Sequence, residues 1–283
     1  MSDKDNWQWE IKPQKAWFGK NFFKELYAYK DLLLRLVRKE FLLRYQQTLL
    51  GPIWVLIQPI LTVIIYVLIF DKIIKVPIPD VPPVLFYLSG ITLWTLFSDI
   101  FLGTANTFLQ NINVFNKVYF PRLIAPLSIT LLHYMRFLIQ LGLLMAMVFY
   151  FHVTGEIEAK YYTLLLILPM TILTAGFGLG CGLIFSIITA KYRDLSSILN
   201  LIVSLLMFVT PIFYSLDIVP EKILWLVNLN PLSTLFEMFR YSILGTSHIG
   251  LSQIIYSIMA TIITLCAGLL LFNRNEDKLI DII

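Results

Sequence analysis

Two basic side chains, His133 and Arg136, stand inside an apolar run from about Leu123 to Phe151. In a membrane-crossing helix a central Arg costs about 2.5–3.5 kcal/mol on insertion scales, so it must face protein or water. His133 lies one turn from Arg136 on the same helical face. The pair serves either as a polar lining that contacts a substrate or as an internal hydrogen-bonded couple. Asp99, in the preceding apolar run, is a candidate partner for Arg136. Other chemistry is absent by motif. No G-x-x-x-x-G-K-[ST] phosphate loop occurs, and the one Gly-Lys pair, Gly19-Lys20, is followed by Asn21. Gly176, Gly178, Gly180 and Gly182 alternate inside an apolar run with no strand before them. They fit close helix packing, Gly178 and Gly182 at small-xxx-small spacing, rather than a nucleotide fingerprint. No H-E-x-x-H or G-x-S-x-G is present. Glu156 and Glu158 sit beside Lys160 and read as a solvated turn, not a glycosidase pair. Three His and two Cys exclude a Cys-rich metal centre and a disulfide scaffold. No catalytic residue, metal or cofactor is expected, and Cys181 and Cys266 are expected to pack.

The elements that hold these residues follow from composition. Of 283 residues 58% are apolar and 14% charged, against roughly 45–50% and about 25% in soluble domains. So little charge cannot cover a soluble fold, and disorder is excluded by the same numbers. The chain reads as an all-α polytopic membrane protein. Six apolar stretches approach the length of about 20 residues that a crossing needs. They are Ile53–Phe70, Val84–Phe108, Leu123–Phe151, Tyr162–Ala190, Ser197–Leu216 and Leu251–Phe272. Six crossings put both termini on one side. With that side cytoplasmic, sixteen of the 22 Lys and Arg fall inside and five outside, with Arg136 within a span. The first 20 residues hold no apolar core with a small-residue cleavage site, so no secretory signal is expected there. The net charge of +4 then serves anionic lipid rather than nucleic acid.

Five segments are not plain spans. Residues 22–44 form an amphipathic pattern at 100° per residue, with Leu26, Leu33, Leu34, Val37 and Phe41 on one arc. Lys24, Asp31, Arg35, Arg38 and Lys39 fall on the other. This is a helix lying in the membrane interface, or else packed on a partner. Trp7, Trp9, Trp17, Phe18, Phe22 and Phe23 ahead of it suit the same boundary. Gly51-Pro52 then turns the chain into the first span. The loop from Asn111 to Arg122 mixes aromatics with Lys117 and Arg122. It is either a docking surface or an ordinary interfacial loop. In the turn Lys191-Tyr192-Arg193-Asp194 a local Arg193–Asp194 pair is expected. Residues 211–249 are cut by Pro211, Pro220 and Pro231 into pieces too short to span and too apolar for a free loop. A pair of re-entrant half-helices acting as an external lid fits both facts.

These runs together resemble the ABC-2 type permeases that export cell-surface polysaccharides, over nearly the whole chain. The carriers are Arg44-Tyr45-x-Gln47-Thr48-x-Leu50-Gly51-Pro52-x-Trp54 with Gln58-Pro59, Lys117-Val118-Tyr119-Phe120-Pro121-Arg122, and Tyr192-Arg193-Asp194. Thr210-Pro211-x-x-Tyr214, Val219-Pro220-Glu221-Lys222, Asn230-Pro231 and Phe239-Arg240 complete the set. Each run alone is weak; together, in the family's order, they are specific. The resemblance implies a half-transporter in the bacterial inner membrane: a homodimer of this chain driven by two copies of a separate ATP-binding subunit. The implied cargo is polysaccharide on undecaprenyl diphosphate, with O antigen ahead of capsule and teichoic acid. It divides the chain into a cytoplasmic segment at 1–52, a transmembrane domain at 53–272 and a cytoplasmic tail at 273–283. It assigns ATPase coupling to Asn113, Phe115, Lys117, Tyr119, Phe120, Pro121, Arg122, Tyr192, Arg193 and Asp194, and the external gate to Pro211, Pro220, Asn230, Pro231 and Arg240.

Chemistry adds candidates for the remaining steps. Arg35, Arg38, Lys39 and Arg44, with Leu50, Gly51, Pro52 and Trp54, would receive the lipid diphosphate. Tyr66, Phe86, Tyr87, Trp94, Phe97 and Tyr214, with Arg136, are candidates to line a sugar path; the alternative is that the aromatics pack or face lipid. Three competing functions stand. A polyprenyl-lipid enzyme needs clustered acids at one membrane face, which the cytoplasmic loops lack. A drug or small-lipid ABC-2 exporter is disfavoured by the Gly51–Trp54 and Lys117–Arg122 runs. A stand-alone channel would conduct without any ATPase.

Overall fold

The computed structural model describes residues 27–46, 48–79, 81–110, 120–157, 161–245 and 250–280. The predicted features at Trp7, Trp9, Trp17, Phe18, Phe22, Phe23, Lys24, Leu26, Gln47, Asn113, Phe115, Lys117 and Tyr119 lie outside them. The described residues form α1 (Lys30–Tyr45), α2 (Trp54–Tyr66), α3 (Pro83–Ala105), α4 (Ile124–Val153) and α5 (Ile167–Lys191). After these come α6 (Leu195–Val209), α7 (Glu221–Leu229), α8 (Pro231–Leu244) and α9 (Leu251–Ile280). No strand occurs among the described residues.

Five stretches are long and apolar enough to cross a membrane: Gly51–Ile73, Pro83–Ala105, Ile124–Val153, Tyr162–Lys191 and Leu251–Asn275. They coincide with five of the six expected spans. The sixth, expected over Ser197–Leu216, is α6, which has 15 residues and ends at Val209. That is about 22 Å of helix against about 30 Å of hydrocarbon. Pro211 is the cause. It drives the residue before it out of the helical region, and Thr210 is extended at φ −79°, ψ 138°.

The first span starts as the Gly-Pro signal implies. Gly51 takes φ +53°, which suits a residue without Cβ. Pro52 opens a single 3-10 turn, Gly51–Ile53, that leads into α2. Pro59 inside α2 has no N–H, so the Val55 carbonyl four residues earlier loses its helical donor. Gln140 of α4 supplies the replacement, its Nε2 donating to the Val55 carbonyl at 3.4 Å. The other end of the same amide accepts from the Thr95 hydroxyl of α3 at 2.8 Å. One buried amide therefore ties three helices together at the place where proline opened the ladder. Beyond Tyr66 the span continues as a π-helix over Val67–Ile73.

Helix α5 forms the centre, between α3 and α9. Its four alternating glycines divide by face. A Cβ on Gly178 would lie 3.1 Å from the Phe97 carbonyl of α3, and one on Gly182 would lie 2.5 Å from Thr104 Cβ. A Cβ on Gly180 would lie 2.8 Å from the backbone of Leu265 in α9, where Gly268 meets the Gly180 carbonyl in turn. Residues two apart on a helix point in nearly opposite directions, so one run of glycines opens both sides. The Thr189 hydroxyl adds a hydrogen bond across to the Ala105 carbonyl of α3.

The segment after α6 is cut where the prolines predict. Pro220 precedes α7 and Pro231 opens α8. The two short helices differ in burial. Most of α8 is buried against α3, α5 and α9, whereas α7 buries only Val227 and exposes Ile223, Trp225, Leu226 and Leu229. Cys181 is half-buried, while Cys266 is exposed rather than packed within the chain.

Gly180→Ala places a methyl against backbone that cannot rotate away. It is expected to lower the detergent unfolding free energy by about 1–3 kcal/mol. Gly142 of α4 has nothing within 4 Å of a built Cβ. Gly142→Ala is expected to be neutral or stabilising by up to about 1 kcal/mol in the same unfolding assay.

Candidate functional site

Two polar clusters sit toward the two ends of α3. Toward its C-terminal end, Arg136 Nη1 donates to Asp99 Oδ2 at 2.8 Å. His133 Nδ1 is 3.3 Å from the same oxygen. Arg136 Nη1 also lies 3.4 Å from His133 Nδ1, so this one nitrogen faces both the acid and the guanidinium. The expected partnership of Asp99 with Arg136 is thus formed, and Arg136 is held internally by α3. Asp99 keeps 37% of its side chain exposed, against 14% for Arg136 and 7% for His133. The cluster is closed on the basic side and open on the acidic side.

Next to it lies a cavity of about 270 Å³ bounded by α1, the end of α3 and the start of α4. Glu40 and Arg44 line it from α1, with Gly103, Gln110, Phe120, Ser128 and His133 from the other walls. Arg44 therefore does not share a face with the other candidate head-group cations. At 100° per residue it falls about 180° from Arg35 and about 120–140° from Arg38 and Lys39. Those three are exposed on the outer arc. The apolar arc of α1 packs on α4 through Val37, but Leu34 at its edge is exposed. Leu50 and Gly51 are half-buried, and Pro52 and Trp54 are exposed at the turn into α2.

Toward the other end, Arg240 of α8 is 2% exposed. Its Nη1 donates to Glu237 Oε1 at 3.1 Å and its Nη2 to the Ile212 carbonyl at 2.8 Å. The guanidinium lies 3.8 Å over the Phe86 ring of α3. Gly90 makes the room: a Cβ there would sit 3.0 Å from Arg240 Nη2. Asn230 joins the same end. Its Oδ1 accepts from the Leu232 N–H at 3.1 Å and its Nδ2 donates to the Thr210 hydroxyl at 3.0 Å. Pro211 is buried beside Ile212, and Pro220 is exposed ahead of α7. Four of the five gate candidates thus meet in or beside one fixed joint, and α7 hangs from it. The joint holds α7 by the Ser233 hydroxyl on the Val227 carbonyl, and Tyr256 of α9 donates to the Leu229 carbonyl.

The aromatic candidates divide. Phe86, Tyr87, Trp94 and Phe97 are buried inside the single chain. Arg240 covers the Phe86 face, Tyr87 meets the Phe86 ring edge-on, Trp94 packs on Phe97 and Phe236, and Phe97 stacks between Phe101 and Phe177. Their rings are occupied, as the packing alternative requires, and none presents a free face to a sugar. Tyr66 and Tyr214 are half-buried, Tyr66 against Phe213 and Tyr214 with its hydroxyl on the Val209 carbonyl. Of the coupling candidates that are described, Phe120 is buried and Pro121 and Arg122 are half-buried at the start of α4. Tyr192, Arg193 and Asp194 are exposed before α6. The expected Arg193–Asp194 pair is not among the ion pairs of the described residues; Lys191 lies over the Tyr192 ring instead.

Sequence reasoning missed Glu40, Gln140 and Glu237. Glu237 and Arg240 stand at i, i+3 in an apolar run, which was a usable signal. Gln140 was not findable, because nothing in the chain links it to the carbonyl that Pro59 frees.

Arg240→Met leaves Glu237 buried without its partner and is expected to cost about 3–5 kcal/mol in detergent unfolding. Adding Glu237→Gln should recover part of that loss, since a neutral amide needs no counter-charge.

A family model described as ABC-2 type transporter matches residues 31–244. The chain is 28% identical over 254 residues to an O-antigen export system permease protein of Klebsiella pneumoniae, covering 89% of this chain and 95% of that one. It is 28% identical over 219 residues to a protein of the same description from Myxococcus xanthus, covering 77% and 82%. It is 27% identical over 257 residues to a polysialic acid transport protein of Escherichia coli, covering 88% and 93%. Five stretches long enough to span, and a family match over most of the chain, make it a multi-pass membrane protein that belongs to the ABC-2 type transporter family.

Proposed function

We propose that this chain is the membrane half of an ATP-driven exporter that moves lipid-linked polysaccharide, O antigen in the first place, across a bacterial inner membrane. The sequence holds no phosphate loop, which supports a separate ATPase, and a homodimer with two such subunits is the simplest assembly. The segment ending at Phe120–Arg122 and the Tyr192–Asp194 turn are the contacts for that partner. α6 with the segment after it completes a sixth crossing, which leaves both termini cytoplasmic and puts α7 and α8 at the external end.

The observation that carries the transport reading is the surface of α6. This helix buries only Leu199 and Val203, so most of its circumference is open in the single chain. Ser197, Asn200 and Ser204 share one exposed arc, while Ile198, Leu201, Ile202 and Leu205 share another. The Asn200 amide donates to the Ser196 carbonyl and the Ser204 hydroxyl to the Asn200 carbonyl, which leaves their oxygen lone pairs as acceptors on the open arc. A sugar path along this arc supplies hydroxyl and amide partners. Each such bond exchanges with water at a net gain of only about 1 kcal/mol. Contacts that weak let a polymer slide, as permeation requires. The path thus follows α6 and the half-buried Tyr66 and Tyr214, not the buried aromatics of α3. Arg35, Arg38 and Lys39 on the outer arc of α1 receive the diphosphate head.

Capsular polysaccharide is the second cargo reading; the likeness to a polysialic acid transport protein supports a glycan other than O antigen. Affinity purification of the tagged chain from native membranes separates these outcomes. An ATPase in equal amount together with a polyprenyl-linked glycan is expected, and the glycan's composition identifies the cargo. No ATPase under mild detergent overturns the exporter reading.

Asn200→Leu with Ser204→Leu is expected to cut surface glycan by about tenfold or more while leaving chain abundance and ATPase recovery unchanged. Ile202→Leu on the apolar arc should leave surface glycan as it was.

A further inference from the structure

The cavity beneath α1 has a chemistry of its own. Glu40 and Arg44, one turn apart, both line it, yet no ion pair within 4.0 Å joins them among the described residues. Opposite charges at i, i+4 ordinarily attract across a helix turn. Here both line one cavity, Glu40 half-buried and Arg44 exposed. His133 forms part of the wall, with Nδ1 turned to Asp99 and Nε2 on the side of Gly103. Gly103 leaves room beside that atom: a Cβ there would be 3.2 Å from His133 Nε2. Gln110 adds amide donors. The lining therefore offers an acceptor in Glu40 and donors in Arg44 and Gln110. Leu36, Phe120, Ala125, Ile129 and Leu132 form the apolar remainder.

This set matches a ligand that carries an anion, a cation and an apolar tail. We infer that the cavity holds the phosphoethanolamine headgroup of a membrane phospholipid, with its phosphate on Arg44 and its ammonium on Glu40. A polyanionic head fits less well, because Glu40 would repel it. A quaternary ammonium fits less well too, because it has no N–H to donate to the Glu40 carboxylate. The site is apart from the cargo cations Arg35, Arg38 and Lys39, which lie on the opposite arc of α1. It goes beyond the export reading and needs only that α1 lie along one face of the bilayer. A lipid seated there touches α1, the end of α3 and Phe120 at once. It would set the position of α1 relative to the segment that enters α4.

The test is native mass spectrometry of the full chain in mild detergent, delipidated and then offered dioleoyl phosphatidylethanolamine, phosphatidylcholine or phosphatidylglycerol at equal concentration. One phosphatidylethanolamine per chain is expected, preferred about tenfold over the other two, the size of one charge-assisted hydrogen bond. Glu40→Gln should remove the preference over phosphatidylglycerol, and Arg44→Gln should weaken retention of both. Equal retention of the three lipids by the unmodified chain, or no retention, overturns the proposal without relying on any variant. So does an unchanged preference in Glu40→Gln. Competitive displacement of phosphatidylethanolamine by a polyprenyl diphosphate also overturns it, since the cavity would then belong to the cargo. The export reading fails separately, by the missing ATPase or glycan in the native purification.

Discussion

Helix α5 reaches its neighbours closely enough only because it has no side chains where it crosses them. Lipid gives helices no hydrophobic reason to associate, so the bundle rests on dispersion and close backbone approach. Gly178 and Gly182 admit α3 while Gly180 admits α9, and Gly268 returns the favour from the other side. Everything else is hung on the layer this creates. Residues of α3 held in that layer carry Asp99 to one cluster and Phe86 and Gly90 to the other, so the two polar ends are joined by one rigid rod.

The polar groups inside the bundle answer the same medium in different ways. Asp99, His133 and Arg136 neutralise one another across two helices. Arg240 is satisfied by Glu237, a backbone carbonyl and the face of a ring. Gln140 repairs a break that proline made in another helix. Each solution fixes a geometry rather than adding much net stability, because the desolvation of charge offsets most of the attraction. Such ties are few on α6, which leaves most of its surface open, and on α7, which buries one residue.

The sequence was legible where a rule acts over a few residues. Apolar length located five helices to within a turn or two, and three prolines cut the segment after α6 at the right places. Gly51-Pro52 marked the turn into the first span. Helical spacing put His133 beside Arg136, and an apolar membrane setting made Asp99 their natural counter-charge. It failed where the answer lies between distant segments. Phe86, Tyr87, Trp94 and Phe97 looked like sugar platforms because type says nothing of which face a buried helix has left. Arg44 was grouped with Arg35, Arg38 and Lys39 by charge, though its angular position on α1 already set it apart. The end of α6 was placed seven residues late, because hydropathy runs on through Pro211 while the helix does not.

The shortness of α6 has a consequence for the lipid around it. Its helical length is some 8 Å less than the thickness of an average bilayer, and the apolar chain past Pro211 continues without α-helix. Hydrophobic mismatch of this size is met by local thinning of the hydrocarbon or by tilting of neighbours. A membrane thinned beside the helix with the polar arc would bring its two headgroup layers closer together there.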